Sequence, residues 1–316
     1  MSLFVVAAAC GGSPSAAPPA PSAPTDAPET AAPAPVAQAR TPPPARVVAV
    51  GDLHADLPAA LATLRMAGVV DAAGHWSGGQ TVLVQTGDTT DRGPDSKEVI
   101  ELLMRLTSEA EAAGGRVVAL LGNHEVMNLH GDWRYVSPGD VQDFGSADAR
   151  RAALAPGAPL GGWLRQRDVV AKVGDTVYAH GGITAAWADR GLDAINAAAA
   201  EAIASAPRAA VLGEEGPLWF RGYLLADESL ACAELRRALA ALGARRMVLG
   251  HTTQRSGRIA SRCGGALLGI DTGISAHYGG NHAALELRAG DAWALYPTGP
   301  EDLPDPAGRG GAAPPP

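Results

Sequence analysis

The sequence predicts an α/β domain, and three observations carry that expectation. Short β-branched runs bounded by Gly or Asp alternate with stretches of helical apolar spacing. Alternation of this kind builds sheets whose faces are covered by helices. Each run also hands over directly to a polar cluster, and the carboxyl ends of strands are where α/β sheets bind ligands.

In chain order, "RVVAV" (46–50) passes into "GDLHAD", and "TVLVQT" (81–86) into "GDTTDRG". A helix follows in "DSKEVIELLMRLTSEAEAAGG". Asp95 is expected as its N-cap with Glu98 completing a capping box, Val99, Leu102, Leu103 and Leu106 as its apolar face, and Gly114 as its stop. "RVVALL" (116–121) then leads into "GNHE", which runs on through "VMNLHGDWRYV". "TVYAH" (176–180) carries "AHGG". "CAELRRALAALGA" repeats the helical spacing with Leu235, Leu239 and Leu242, and "RMVLG" (246–250) ends in "GHT". Glycine precedes four of the five polar clusters, which lets the backbone turn tightly and draws their side chains together.

The 316 residues suffice for one large domain or two small ones, and composition narrows the choice. Residues 11–45 are almost wholly Ala, Pro, Ser and Thr, and residues 299–316 end in "AGRGGAAPPP". Such segments bury too little apolar surface to offset their ordering entropy, so a disordered tether and a disordered tail are expected around a folded domain at 46–298. A net charge of −8 without any Lys/Arg run excludes a nucleic-acid surface. No segment approaches the ~20 apolar residues that span a bilayer. The chain has three cysteines. Cys232 and Cys263 either pair in an oxidising compartment or stay as buried thiols, and their spacing suggests no metal site. No internal repeat is present, and a monomer is expected.

The polar clusters contribute Asp52, His54, Asp88, Asn123, His180 and His251. Singly, each is ordinary: an Asp at a strand end is usually a turn, and a lone His is usually a hydrogen-bonded core residue. Together, each after a strand, they form an oxygen and nitrogen donor set without thiolate, which suits Mn, Fe or Zn better than Ca. A carboxylate between two histidine-bearing half-sites can bridge two divalent ions and so support phosphoryl displacement.

GDxH, GDxxDRG, GNHE, HGG and GHT in this order resemble the calcineurin-like metallophosphoesterases of the phosphoprotein phosphatase family. The resemblance runs from Val47 to about Tyr296 and implies a central β-sandwich flanked by helices. It implies one metal on Asp52, His54 and Asp88 and a second on Asp88, Asn123, His180 and His251, with manganese the first choice. It also implies His124 as proton donor to the leaving oxygen, Asp91 as the carboxylate orienting it, and Arg92 as a phosphate-binding arginine. Arg221 in "GPLWFRGY" is the expected second arginine. Tyr278 stands where the family places a tyrosine over the site, though a packed tyrosine fits equally. Glu125 is expected to support the loop from behind. His75, His277 and His282 carry no motif and are expected to be structural or exposed.

"GNHEVMNLHGDWRYV" and "GPLWFRGY" resemble the Shewanella-like protein phosphatase branch, which implies a phosphoprotein or phosphopeptide substrate and leaves phosphotyrosine against phosphoserine/threonine open. Hydrolysis of a diadenosine polyphosphate and a non-catalytic binding lipoprotein are the competing functions. "MSLFVVAAAC" resembles the end of a bacterial lipoprotein signal peptide. That implies lipidation of Cys10 and a cell-envelope location, against the alternative of a plain apolar N-terminus or a secreted product.

Overall fold

A computed structural model describes residue 16, residues 44–205 and residues 207–306. The chain divides between Thr41 and Pro42, and the architecture below belongs to the second unit. Cys10, residues 11–43 of the expected tether apart from residue 16, and residues 307–316 lie outside the described residues.

The domain opens with β1 (Arg46–Val50), α1 (Leu57–Met66), β2 (Val82–Gln85), α2 (Ser96–Ala112) and β3 (Arg116–Ala119). Short helices follow: α3 (Asn123–Leu129), α4 (Pro138–Asp143), α5 (Ala147–Ala153) and α6 (Pro159–Arg165). Next come β4 (Val170–Val173), β5 (Thr176–Ala179), α7 (Ala185–Ala188), α8 (Leu192–Ser205), α9 (Gly222–Leu225) and α10 (Glu228–Leu242). The chain then runs through β6 (Arg246–Leu249), β7 (Ala260–Arg262), β8 (Leu267–Gly269), β9 (Ala284–Arg288), β10 (Asp291–Tyr296) and β11 (Gly299–Leu303).

Two mixed sheets result, ordered β11-β10-β9-β1-β2-β3 and β4-β5-β6-β8-β7. The strands that precede polar clusters are parallel within their sheets: β1, β2 and β3 in the first, β5 and β6 in the second. Period-two alternation divides each strand between two cores. Val47, Ala49 and Val84 face Tyr178, Val248 and Leu268 in an apolar layer between the sheets. Val48, Val50 and Leu83 pack outward on Leu64 of α1 and on Leu102, Leu103 and Leu106 of α2. Val177, Met247 and Leu249 pack on Ile195 of α8 and on Leu235 and Leu239 of α10. Burial on both faces explains why these strands read as unbroken apolar runs.

The structure corrects three expectations. Residues 299–303 are a strand, not a tail: β11 pairs with β10 from Ala292↔Leu303 to Tyr296↔Gly299. Edge pairing uses main chain and tolerates a proline such as Pro300, so poor side-chain composition did not forbid it. Asp95 sits at the N-cap of α2, but its side chain makes no bond to its own helix. Its carboxylate accepts from Leu57 N of α1 at 3.0 Å, while Ser96 N is capped by Asp140 Oδ1 at 2.9 Å. Finally, α10 starts at Glu228, four residues before "CAEL", because Asp227 accepts from Ser229 N at 2.9 Å and caps it there. Of the two cysteine states, the disulfide forms: Cys232 on α10 joins Cys263 after β7, Cα to Cα 5.5 Å.

Candidate active site

The carboxyl ends of β1, β2, β3, β5 and β6 deliver their polar residues to one place. Strain concentrates there. Among the described residues, His54, Asp88, Asp91, Arg92 and His251 adopt left-handed φ of 45°, 57°, 68°, 71° and 63°. Side-chain-bearing residues hold such conformations only where their surroundings over-determine them. Here, Leu53 N and His54 N both donate to Asp88 O at 2.9 Å, Ala55 N donates to Thr89 O at 2.9 Å, and Arg92 N to Tyr135 O at 3.0 Å.

Glu125 is the anchor. Its buried carboxylate accepts from four backbone amides, Gly122 (2.7 Å), Asp88 (2.8 Å), Thr89 (2.8 Å) and Thr90 (2.9 Å), and from the Thr89 and Thr90 hydroxyls. It thus binds the β2 loop to the start of α3. A Cβ on Gly122 would collide with the Asp88 carboxylate, and one on Gly87 with the Gly122 backbone, so the close approach requires both glycines.

Asp88 occupies the centre. Its Oδ2 lies 3.2 Å from His180 Nε2, 3.7 Å from His54 Nε2 and 3.8 Å from His124 Nε2. Its Oδ1 accepts from His124 N at 3.0 Å. Asp52 accepts from His251 N at 3.1 Å on both oxygens, and its Oδ2 is 3.9 Å from His54 Nε2. Asn123 Oδ1 stands 2.9 Å from His180 Nε2. His54 and His180 each place Nδ1 against a backbone carbonyl, Thr90 O at 3.2 Å and Thr86 O at 3.0 Å. With Nδ1 donating there, both Nε2 lone pairs face inward.

Acceptors therefore face acceptors, and His251 Nε2 is buried with no hydrogen-bond partner. Burial holds the His54 pKa down to about 3 and, with repulsion from His180 and Arg221, that of His251 to about 2, so both rings are neutral. Burial, then repulsion from Asp271 and Asp88, raises Asp52 well above the usual carboxylate range. Asp88 goes the other way: His180 and His124 outweigh its burial and hold it well below that range. Imidazole nitrogens, carboxylates and an amide oxygen converging in one buried place are a donor set that divalent metal ions would satisfy. At this site two groups could hold an ion, His54–Asp88–His124 and Asp88–His180–His251, and Asp88 belongs to both. The first contains His124 where the sequence pattern set Asp52; Asp52 stays beside it, engaged with His251 N.

His124 Nδ1 is 2.7 Å from Asp91 Oδ2. Burial lowers the ring's pKa, but Asp88 and the Asp91 hydrogen bond outweigh it and hold it above the ordinary histidine range. Arg92 packs over the Tyr135 ring at 4.0 Å and lies 5.8 Å from the Tyr278 ring. Tyr135 also lies 5.0 Å from the His124 ring, and Tyr278 4.7 Å from that of His54. Arg221 reaches the site from the start of α9, donating from Nη1 to His251 O at 2.7 Å. His75 bonds Glu109 far away, His282 bonds Thr63, and His277 packs edge-on against Tyr278 at the rim.

Several residues escaped the sequence reading. Tyr135 lies within the run already singled out, but nothing in one sequence says which of its residues returns to the site. Asn128 sits one helical turn after His124, the only available hint. Asp271, buried after β8 with Oδ2 unpartnered, follows a strand and Gly269 as the other acids follow theirs. Its strand, only three residues long, was too short to notice.

Residues 45–255 match the family model described as calcineurin-like phosphoesterase. The chain belongs to that family. This phosphoesterase is 37% identical to an uncharacterised protein of Schizosaccharomyces pombe over 78% of its own chain and 79% of the relative. It is 34% identical to Shewanella-like protein phosphatase 2 of Arabidopsis thaliana, over 73% and 72%. A cold-active protein-tyrosine phosphatase from a psychrophilic Shewanella superposes with a TM-score of 0.74 at 30% identity, covering 82% of this chain and 80% of that one. The family implies divalent metals, which the buried His and Asp groups can bind. The phosphatase relatives imply phosphorylated substrates.

Proposed function

We propose that this metallophosphoesterase uses two divalent ions to hydrolyse phosphate monoesters on proteins or peptides. The observation that carries the reading is Asp88, whose Oδ2 lies 3.7 Å from His54 Nε2 and 3.2 Å from His180 Nε2, with the His124–Asp91 pair alongside. Asp52, His54 and Asp88 would hold one ion, and Asp88, Asn123, His180 and His251 the other, with Mn²⁺ the first choice and Fe or Zn as alternatives. Bound there, the ions supply Lewis-acid polarisation and an acidified water as nucleophile.

The chain's own residues do the rest. Arg92, packed on Tyr135, and Arg221, bonded to His251 O, carry guanidinium groups that suit the phosphoryl oxygens. Asp91 accepts a hydrogen bond from His124 Nδ1 and, with Asp88, favours the protonated ring, whose Nε2 proton then goes to the leaving oxygen. Tyr135 and Tyr278 wall the approach beside Arg92. Two flat rings beside Arg92 fit an aryl leaving group, and the Shewanella neighbour is a protein-tyrosine phosphatase, so phosphotyrosine is the preferred substrate.

The test is turnover by the full chain with Mn²⁺ on a phosphotyrosine peptide, a phosphoserine peptide and diadenosine tetraphosphate. Peptide hydrolysis is expected, lost by about 10²-fold or more in Asp88→Asn and His124→Asn. Retained activity in those variants would refute the residue assignment. Cleavage of the dinucleotide alone would refute the substrate class. We further propose an envelope location through lipidated Cys10, which agrees with the Cys232–Cys263 disulfide, a bond that oxidising compartments preserve. Failure of the chain to take up labelled palmitate would remove the anchor.

A further inference from the structure

Behind the His124–Asp91 pair lies a buried charge that the chemistry above does not use. Arg150 on α5 is 0% exposed, as are Asp140 on α4 and Asp91 itself, and Asn128 on α3 is 3% exposed. Burying an ion pair is weak evidence for stability, because desolvation offsets most of the attraction. Its retention needs another reason, and the hydrogen bonds supply one.

Arg150 Nη1 donates to Asn128 Oδ1 at 2.8 Å. Asn128 Nδ2 donates to Asp91 Oδ1 at 2.8 Å, and Asp91 Oδ2 accepts from His124 Nδ1 at 2.7 Å. Guanidinium, amide, carboxylate and imidazole thus stand in one line. The amide orientation is unambiguous: reversed, its oxygen would meet Asp91 and its NH₂ would meet the guanidinium. Asn128 Nδ2 also donates to His124 O at 2.8 Å, which ties the line to the turn bearing the acid.

Arg150 is itself held firmly. Nε donates to Asp140 Oδ2 at 2.7 Å, and the guanidinium packs on Trp133 at 4.9 Å and Phe144 at 5.6 Å. Its Nη2 makes no hydrogen bond and points along the line, 3.8 Å from Asp91 Oδ1. A carboxylate held by His124 alone could rotate about its own axis. Pinning its second oxygen fixes the plane, and with it the direction of the His124 ring.

We propose that Arg150, acting through Asn128, is a positioning residue that locks Asp91 so that His124 delivers its proton to the leaving oxygen. The proposal rests on His124 being the acid, as read above. It predicts losses that depend on the leaving group, since a poor leaving oxygen needs the proton and an activated one does not. A merely structural role would depress turnover of both alike.

The experiment compares phenyl phosphate with 2,4-dinitrophenyl phosphate, using the full chain loaded with Mn²⁺. Arg150→Lys and Asn128→Ala are expected to lower kcat for phenyl phosphate by roughly 10²-fold and for the dinitrophenyl ester by less than about fivefold, with KM nearly unchanged. On the His124→Asn background neither substitution should cost more. Asn128→Ala leaves the Arg150–Asp140 pair intact, so it decides the matter if Arg150→Lys unfolds. Equal losses on both esters, additive losses on the His124→Asn background, or unchanged kcat would overturn the inference while the reading of the site stands. A wild-type chain inactive on both esters would overturn that reading and the inference together.

Discussion

Glu125 is the residue on which the site's backbone depends. Six donors converge on one carboxylate, and four of them are backbone amides of the turns that carry the site. In Glu125→Gln the new NH₂ would face donors, leaving buried amides unsatisfied; the expected cost is about 3 kcal/mol in urea unfolding. Mn²⁺ affinity should fall with it, because Asp88 loses the anchor of its left-handed turn. An unchanged unfolding midpoint would show that the loops hold themselves. The ligand-type residues could be read from the chain because each is a rare donor placed just after a strand. Asn128, Tyr135, Asp140 and Arg150 could not, since each matters only through what α3, α4 and α5 bring beside it.

Elements show the same division. The five apolar strands and α2 follow from periodicity, because each is buried on a defined face. Caps proved less local: Asp95 serves α1, and Asp140 serves α2. β11 was invisible in composition because an edge strand is held by backbone bonds to β10. The disulfide belongs to this scale too. It ties α10 to the turn after β7, and the neighbouring Arg262 donates to Tyr223 O at 2.6 Å and Ala226 O at 2.8 Å, bracing α9 behind Arg221. Closing a loop with sequence separation 31 contributes about 4 kcal/mol in the chain-entropy account. The double variant Cys232→Ser/Cys263→Ser should therefore melt several degrees lower, and dithiothreitol should lower Tm in the parent but not in the variant. A parent Tm indifferent to reductant would show the bond to be unimportant to the fold.

For the whole molecule, the two sheets meet at an edge crowded with acceptors. Asp52, raised by burial and by Asp271 and Asp88, keeps its proton above the ordinary carboxylate range when no cation is present. That favours the metal-free fold at low pH, and the contribution is lost as pH rises through the raised pKa. A bound cation expels the proton and removes the loss. His54 and His251, already neutral, have no proton to release. Mn²⁺ should therefore raise Tm more at pH 8 than at pH 5.5, with proton release visible in calorimetry across buffers of different ionisation enthalpy. A pH-independent Tm shift would count against Asp52 as a ligand.

Side-chain pattern along the chain was enough for the α/β class, the order of the polar clusters and the donor types they carry, because strand burial and strand-end turns are local consequences of that pattern. Tertiary structure alone decided that two sheets share one active edge, that Asp88 stands between two sets of histidines, and that Arg150 backs the His124–Asp91 pair. Those facts depend on distances between residues far apart in the chain, and only packing sets them.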